Sequence, residues 1–465
     1  MKSQLEVKPL QTSTSPTIAC TVVQSGSLPA SISDVPNELL TAIFFAGCED
    51  RSLSLRSKEL PFEILITQVS YHWRIVAHST PQLWTNVVID TQDENHLKNA
   101  TEYVQRSRAL TLNVFVHVPY HGQLPLTFPS ICRLLSTEVE RLQVLRVESN
   151  LAGFPSLQYA FGHIAKSAPH LQALDIRLSG ERNIMPHVGL QETVFPDGLP
   201  SLQSLHLVGV TLRNTVLPQC PITSLQLHQC AYYHSSFRGA DHPFSALTQL
   251  VLSELNWMCE WGSDPIQLPL LKGLYVRYLS DYDKILSRIV APELDTLYLE
   301  AVDEGEMADI ISASQSPEYN SDSSKFPRLH SFILRLAAGR TLSPQIWRNF
   351  MGRFHEVTHF TLLDANIGDF LQALGDPDAL CVPWPMLEML SLPNIETGLL
   401  ADTMSVVSKR ADMGYPILKL QLSPKIFADA DIFWRDRGVY VEAVVNPLAA
   451  LPAACHTEEW RDDEK

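Results

Sequence analysis

Apolar positions recur along most of this chain at a spacing that neither a lone helix nor a lone strand produces. From about residue 140 onward, a unit of the form Pro-x-Leu-x-x-Leu-x-Leu returns with substitutions at every place. It stands as PHLQALDI at 169–176, PSLQSLHL at 200–207, PITSLQL at 221–227 and SALTQLVL at 245–252. PLLKGLYV (269–276), PELDTLYL (292–299), PRLHSFIL (327–334), EVTHFTL (356–362), PMLEMLSL (385–392) and PILKLQL (416–422) continue the series, and LQVLRV (142–147) precedes it. Steps between units run from 20 to 35 residues, averaging about 27, the length of one supersecondary unit in a repeat array. Within each unit the apolar residues alternate as in a short strand with one buried face. One such strand cannot bury its leucines alone, whereas a stack of them makes a continuous core. Upstream, TNVVI (85–89) and TLNVFV (111–116), separated by helical EYVQRS, are two degenerate opening units.

Residues 34–84 follow a different period. Asp34 is placed to cap a helix with Pro36 in its first turn, after which Leu39, Leu40, Ile43 and Phe44 form one apolar stripe. A second helix is expected from Pro61, with Phe62, Leu65, Ile66, Val69, Trp73 and Val76 at helical spacing and a polar loop over 48–60 between the two. Two or three short helices cannot bury so many large side chains by themselves, so an external partner is expected.

Composition narrows the function classes. The chain is 45% hydrophobic and 18% charged, enough core material to exclude global disorder. Acidic residues outnumber basic ones by 51 to 35, for a formal charge of −16. That argues against nucleic acid or an anionic membrane as main partner, since both require clustered Lys and Arg. No apolar run approaches the roughly 18 residues of a membrane span. Residues 1–27, rich in Ser, Thr, Gln and Pro, read as a disordered lead-in without a secretory pattern. Residues 446–465 read as an acidic tail. The eight cysteines show no CxxC spacing, which points to reduced thiols and a cytoplasmic or nuclear location.

Segment 34–84 resembles an F-box of the kind abundant in fungal proteins. The residues that carry the resemblance are DVPNELLTAIF (34–44) and VSYHWRIVAHSTPQLW (69–84), which closes on Thr-Pro-x-Leu-Trp. The downstream units are similar to an irregular leucine-rich-repeat domain. The Asn that follows the strand in regular repeats is mostly replaced, Asn256, Asn366 and Asn394 being scattered exceptions, so irregular turns are expected. The implied fold is α/β: an F-box over 28–84, then a repeat solenoid over 85–445 with a curved parallel sheet and outer helices and loops.

The resemblance implies a substrate receptor of a Skp-cullin-F-box ubiquitin ligase. The F-box would dock on a Skp-type adaptor, and through it on a cullin, while the repeats hold an unknown target protein. Such a receptor makes and breaks no bond; it acts by raising the target's effective concentration near the loaded conjugating enzyme. One rival is a non-catalytic scaffold with no ubiquitylated target. Another is an enzyme on a repeat scaffold, which predicts a deep pocket with perturbed titrating groups. No GxSxG, HExxH, GxxxxGK or GxGxxG occurs, and nothing calls for a cofactor.

The expected adaptor-binding residues are Pro36, Leu39, Leu40, Ile43, Phe44, Leu65, Val69 and Trp73, about half of them serving as the module's own core. Trp84 is expected to seal the join to the first unit. Strand alternation assigns an exposed row of Arg146, Asp175, His206, Gln226, Val251, Tyr275, Tyr298, Ile333, Thr361, Ser391 and Gln421. From this row and the next, Tyr275, Arg277, Tyr298, Glu300 and Arg335 are the expected target-binding residues, because Tyr and Arg most often carry interface energy. An Arg277–Glu300 pair is equally ordinary sheet decoration. His228, Cys230, His234 and His242 lack the paired spacing and ligand count of structural zinc.

Overall fold

The computed structural model describes residues 35–49, 60–118, 128–150, 168–179, 199–210, 220–230, 244–255, 265–278, 282–314, 325–364, 367–376, 382–427 and 439–444. The expected lead-in, acidic tail, Asp34 cap, His234, His242 and most of loop 48–60 lie outside them.

Three helices come first: α1 (Asn37–Glu49), α2 (Phe62–Val69) and α3 (Tyr71–Ser79). The single second helix expected from spacing is thus two. Ser70 breaks it: its backbone is extended (φ −157°, ψ 166°), and its hydroxyl accepts the Trp73 N–H at 3.1 Å. Serine competes with helix-interior bonding and is favoured as such a cap. The helices close over Leu40, Phe44, Ile66, Val76 and Ala77. Trp73 packs edge-on against Phe44 with ring centroids 5.2 Å apart. A turn of 3-10 helix, Pro81–Trp84, then leads into the sheet.

Among the described residues, fourteen strands form one open parallel sheet in chain order. They are β1 (Asn86–Asp90), β2 (Leu112–Val118), β3 (Leu142–Asn150), β4 (Ala173–Ser179), β5 (Ser204–Val208), β6 (Ser224–His228), β7 (Gln249–Ser253), β9 (Gly273–Arg277), β11 (Thr296–Val302), β12 (Ser331–Leu336), β13 (His359–Leu362), β14 (Met389–Leu392), β15 (Lys419–Leu422) and β16 (Tyr440–Ala443). β8 (Ile266–Gln267) and β10 (Ile289–Val290) pair separately. The strand of every recurring unit is present, both opening units included. β16 was not expected, because its segment carries only Val439 and Val441 inward and no Pro-x-Leu start. The architecture is mixed α/β and consistent with a solenoid.

Register explains the periodicity. Leu145, Leu174, Leu205, Leu225, Leu250, Leu274, Leu297, Phe332, Phe360, Leu390 and Leu420 are partners on successive strands, and all are buried. The leading apolar residue of each unit from 169 onward (Leu171, Leu202, Ile222, Leu247, Leu271, Leu294, Leu329, Val357, Leu387 and Ile417) is buried as well, in the turn before the strand. In that turn one carbonyl serves two amides of the next unit: Gln172 O accepts from Gln203 and Ser204, and Thr358 O from Glu388 and Met389, at 2.9–3.0 Å. Neighbouring units are therefore joined through the backbone just before their strands begin.

Helices α4 (His96–Arg106), α5 (Phe128–Glu138), α6 (Tyr282–Arg288), α7 (Glu304–Ala313), α8 (Pro344–Arg353), α9 (Gly368–Leu374) and α10 (Leu400–Asp412) lie between strands, α6 to α10 packing side by side. Their apolar faces meet the inward leucines and an aromatic group centred on Phe360, whose ring lies 4.6 Å from Trp384 and 5.3 Å from Phe370. Trp84 seals the join as expected. Its indole N–H donates to Ala77 O at 2.9 Å, Tyr103 of α4 packs 5.1 Å from its ring, and Tyr103 in turn donates to Glu63 of α2 at 2.7 Å.

A left-handed residue follows each of β5, β6, β7 and β9, and another forms the bulge in β11: Gly209, Gln229, Glu254, Tyr278 and Ala301 have φ of 68°, 51°, 49°, 50° and 65°. The N–H of Gly209, Gln229, Glu254 and Tyr278 still donates to the next strand while the chain turns away. A side chain in this conformation costs roughly 1–2 kcal/mol, so Ala301→Gly is expected to raise stability by about 0.5 kcal/mol once glycine's greater unfolded freedom is subtracted. A urea titration of both proteins checks it.

Candidate functional site

Two surfaces stand out. The first is the outward side of the three helices. Leu39 and Ile43 lie one turn apart on α1, Leu65 and Val69 on α2, and Tyr71 and Ile75 on α3; all six are exposed, Tyr71 by 75%. The structure divides the eight residues expected at an adaptor. Pro36, Leu39, Ile43, Leu65 and Val69 face outward and Trp73 is half-buried. Leu40 and Phe44 are corrected to core positions, fully buried because their one-turn spacing puts both on the inward stripe beside Ile66 and Val76. Leu60, Tyr71 and Ile75 were missed; the i, i+4 pair Tyr71–Ile75 was legible only once the break at Ser70 was placed.

The second surface is the sheet face opposite the leucines. Alternation assigned its rows correctly: Val251, Tyr275, Tyr298, Ile333, Thr361 and Ser391 are register partners. Their exposure was not correctly assigned. Tyr298 is 0% and Tyr275 6% exposed, and Val251, Ile333, Thr361 and Ser391 are buried too. Parallel strands lie about 4.8 Å apart, so aligned large side chains cover one another. The Tyr275 ring also folds back along its own strand, its hydroxyl falling 2.6 Å from where a Cβ on Gly273 would stand. Alternation states which face a residue takes, not whether that face is covered.

Glu300 is likewise fully buried, as the hub of this face. Its Oε2 accepts from Arg277 and, at 2.7 Å, from the Tyr298 hydroxyl; Oε1 accepts from Arg335 at 3.0 Å and from Tyr278 at 3.1 Å. Burial alone would raise its pKa, but Arg277, the Tyr298 hydroxyl and Arg335 outweigh it and hold the carboxyl below its ordinary 4.5. Of the five expected target residues, only Arg335 and, to a lesser extent, Arg277 reach the surface. Tyr275, Tyr298 and Glu300 are corrected to internal positions.

A second ionic group occupies β3 to β5. Asp175 receives Arg177 and His206 at 2.9 and 3.1 Å, with Arg146 at 3.5 Å. Burial works to raise the Asp175 pKa, but His206 and Arg177 outweigh it and lower it below the ordinary value. His228 on β6 lies between the two groups. Burial first, then Arg277, His206 and Arg177, push its pKa down from 6.5 to about 4 against the opposing pull of Glu254.

His228 is therefore neutral when folded and takes a proton near its ordinary pKa when unfolded. Its contribution to stability is full above about pH 6.5 and is lost as pH falls toward 4, a change of about 3 kcal/mol at roughly 1.4 kcal/mol per unit. His228→Gln is expected to remove that slope from urea midpoints measured between pH 7 and pH 4.5. An unchanged slope would assign the pH dependence to other groups.

Among the described residues no group of three or more His, Cys, Asp or Glu could hold a metal, and no helix is long and apolar enough to cross a membrane. Cys132 and Cys230 are buried thiols. Burial pushes the Cys230 thiol up to about 12, which leaves it inert as a nucleophile. No family model matches this chain, and no curated protein matches it.

Proposed function

We propose that this chain is the substrate-recognition subunit of a Skp-cullin-F-box ubiquitin ligase, binding a Skp-type adaptor through α1 to α3 and a target protein through the repeat units. The observation that carries the reading is where apolar surface is left uncovered. Of fifteen exposed large hydrophobics among the described residues, seven fall within Leu39–Ile75. Apolar surface concentrated on one small helical module marks a protein interface, and its residues lie within the segment that resembles an F-box. The join through Trp84 and the Tyr103–Glu63 bond holds that module against the sheet, so a bound adaptor and a bound target would keep a fixed separation. Catalysis then consists of tethering alone.

A pull-down with purified Skp-type adaptor tests the proposal. The full-length chain is expected to bind it, and Leu39→Asp/Leu65→Asp to weaken binding by about 100-fold or more, since two central apolar contacts are replaced by charges. Both positions are exposed, so this variant keeps its circular dichroism and thermal midpoint. Leu40→Asp is no substitute: it places a charge in the core and unfolds the module. A well-folded wild type that does not bind the adaptor refutes the ligase reading.

A further inference from the structure

The last strand of the sheet, β16, leaves half of its backbone groups unused. Tyr440 N–H donates to Leu418 O and Val444 N–H to Leu422 O, both at 2.9 Å. Parallel alternation then turns the N–H and C=O of Val441 and Ala443 away from β15. Among the described residues no strand lies beyond them. Exposed edges are normally blunted by proline, a bulge or an inward-pointing charge. β16 has none of these: its register with β15 is regular, and its inward row is Val439, Val441 and Ala443. On the opposite side Tyr440 is 63% exposed, and Leu418, whose carbonyl it bonds, is 52% exposed. With Met413 and Tyr415 these make four of the fifteen exposed large hydrophobics among the described residues, a second concentration after that on α1 to α3.

We propose that this edge pairs with the same edge of a second copy of the chain, making a two-fold dimer in which β16 runs antiparallel to its counterpart. An open edge takes an extended strand, and β16 is complementary to itself in one register. With the two-fold axis at Val441, perpendicular to the sheet, Val441 faces Val441 of the second copy and Val439 faces its Ala443. Residues opposite one another in an antiparallel pair point to the same side, so the apolar inward row of each copy meets that of the other. On the outer side Tyr440 faces Glu442 of the second copy, and no carboxylate opposes a carboxylate. Charge is complementary there too. Lys419 and Glu442 pair at 2.7 Å within each copy with side chains 37% and 39% exposed, so Tyr440 has Lys419 on its own strand pair and Glu442 across the axis. An axis at Glu442 would instead set Glu442 against itself, which is destabilising. A two-fold contact of this kind consumes the open edge and closes, so assembly stops at two copies.

Sedimentation equilibrium of the purified full-length chain tests the pairing. Wild type is expected to pass from monomer to dimer through about 10 μM, as suits a small interface. Ala443→Pro removes an outward N–H and leaves the bonds to β15 in place; Tyr440→Glu sets a carboxylate against Glu442 of the second copy. Each is expected to weaken the dimer tenfold or more. Should proline at 443 disturb the fold, the exposed position 440 still carries the test. Amide exchange reads the edge directly: Val441 and Ala443 are expected to exchange at least tenfold more slowly in the dimer than in dilute monomer. A chain still monomeric at about 200 μM overturns the proposal, as does a dimer that a folded Tyr440→Glu leaves intact. Slow exchange of both amides in the monomer overturns it as well, because the chain's own residues would then fill the edge. Neither substitution touches α1 to α3, so adaptor binding is read separately: a dimer that binds no adaptor keeps this inference and refutes the ligase reading.

Discussion

Glu300→Ala is expected to lower the unfolding free energy by about 4 kcal/mol, the range for removing one member of a buried charge group. The variant leaves Arg277, only 11% exposed as a side chain, without the carboxylate it faces, and strips the acceptor from the Tyr298 hydroxyl in a site closed to water. Glu300→Gln keeps the shape but offers one oxygen to four donors, so it recovers only part of the loss. The pH dependence has a definite sign. Because the folded pKa lies below 4.5, Glu300 stabilises the fold above the unfolded pKa, and the contribution fades as pH falls through the folded value. Guanidinium midpoints at pH 7 and pH 3 check both statements: wild type and Glu300→Ala should differ clearly at pH 7 and converge on acidification. Equal midpoints at pH 7 would show that the donors find other partners.

Phe360→Ala is the second large effect, about 4 kcal/mol for a large aromatic cut from a sealed core. Phe360 is fully buried on β13, and its ring meets Phe370, Trp384, Trp347 and Phe350. Those neighbours are held by other bonds, the Trp384 indole donating to Phe354 O at 2.8 Å and Arg410 donating to Trp384 O at 2.8 Å, so the cavity cannot close by collapse. In a stack of units each contacts only its neighbours, so the damage should be local. Amide exchange is expected to lose protection in β12 to β14 and α8 to α9 while β2 to β5 keep theirs. A uniform loss across all strands would instead describe one cooperative block.

Much of the fold was legible because the chain states the same thing many times. The inward apolar residues of each unit, the leading apolar residue of each turn and the two-strand opening all became strands or buried turns in the expected order, since an apolar residue on alternating positions has few other ways to leave water. Less was legible where one residue decided the outcome. Ser70 splits a helix whose apolar spacing runs straight through it, and β16 forms on two valines because the sheet already offers it an edge.

The candidate sites mark the same boundary. Sequence by itself determined the order of the units, the face each strand residue takes, and which helical stripe is apolar, because these follow from periods of 2 and 3.6 residues along one chain. Tertiary structure alone decided exposure. Leu39 and Leu40 are adjacent and equally apolar, yet one faces outward and the other lies in the core. Tyr298 and Arg335 stand on neighbouring strands, yet one is sealed and the other reaches the surface. Burial depends on what packs above a residue from strands 20 to 35 positions away, and that information is carried by no local window.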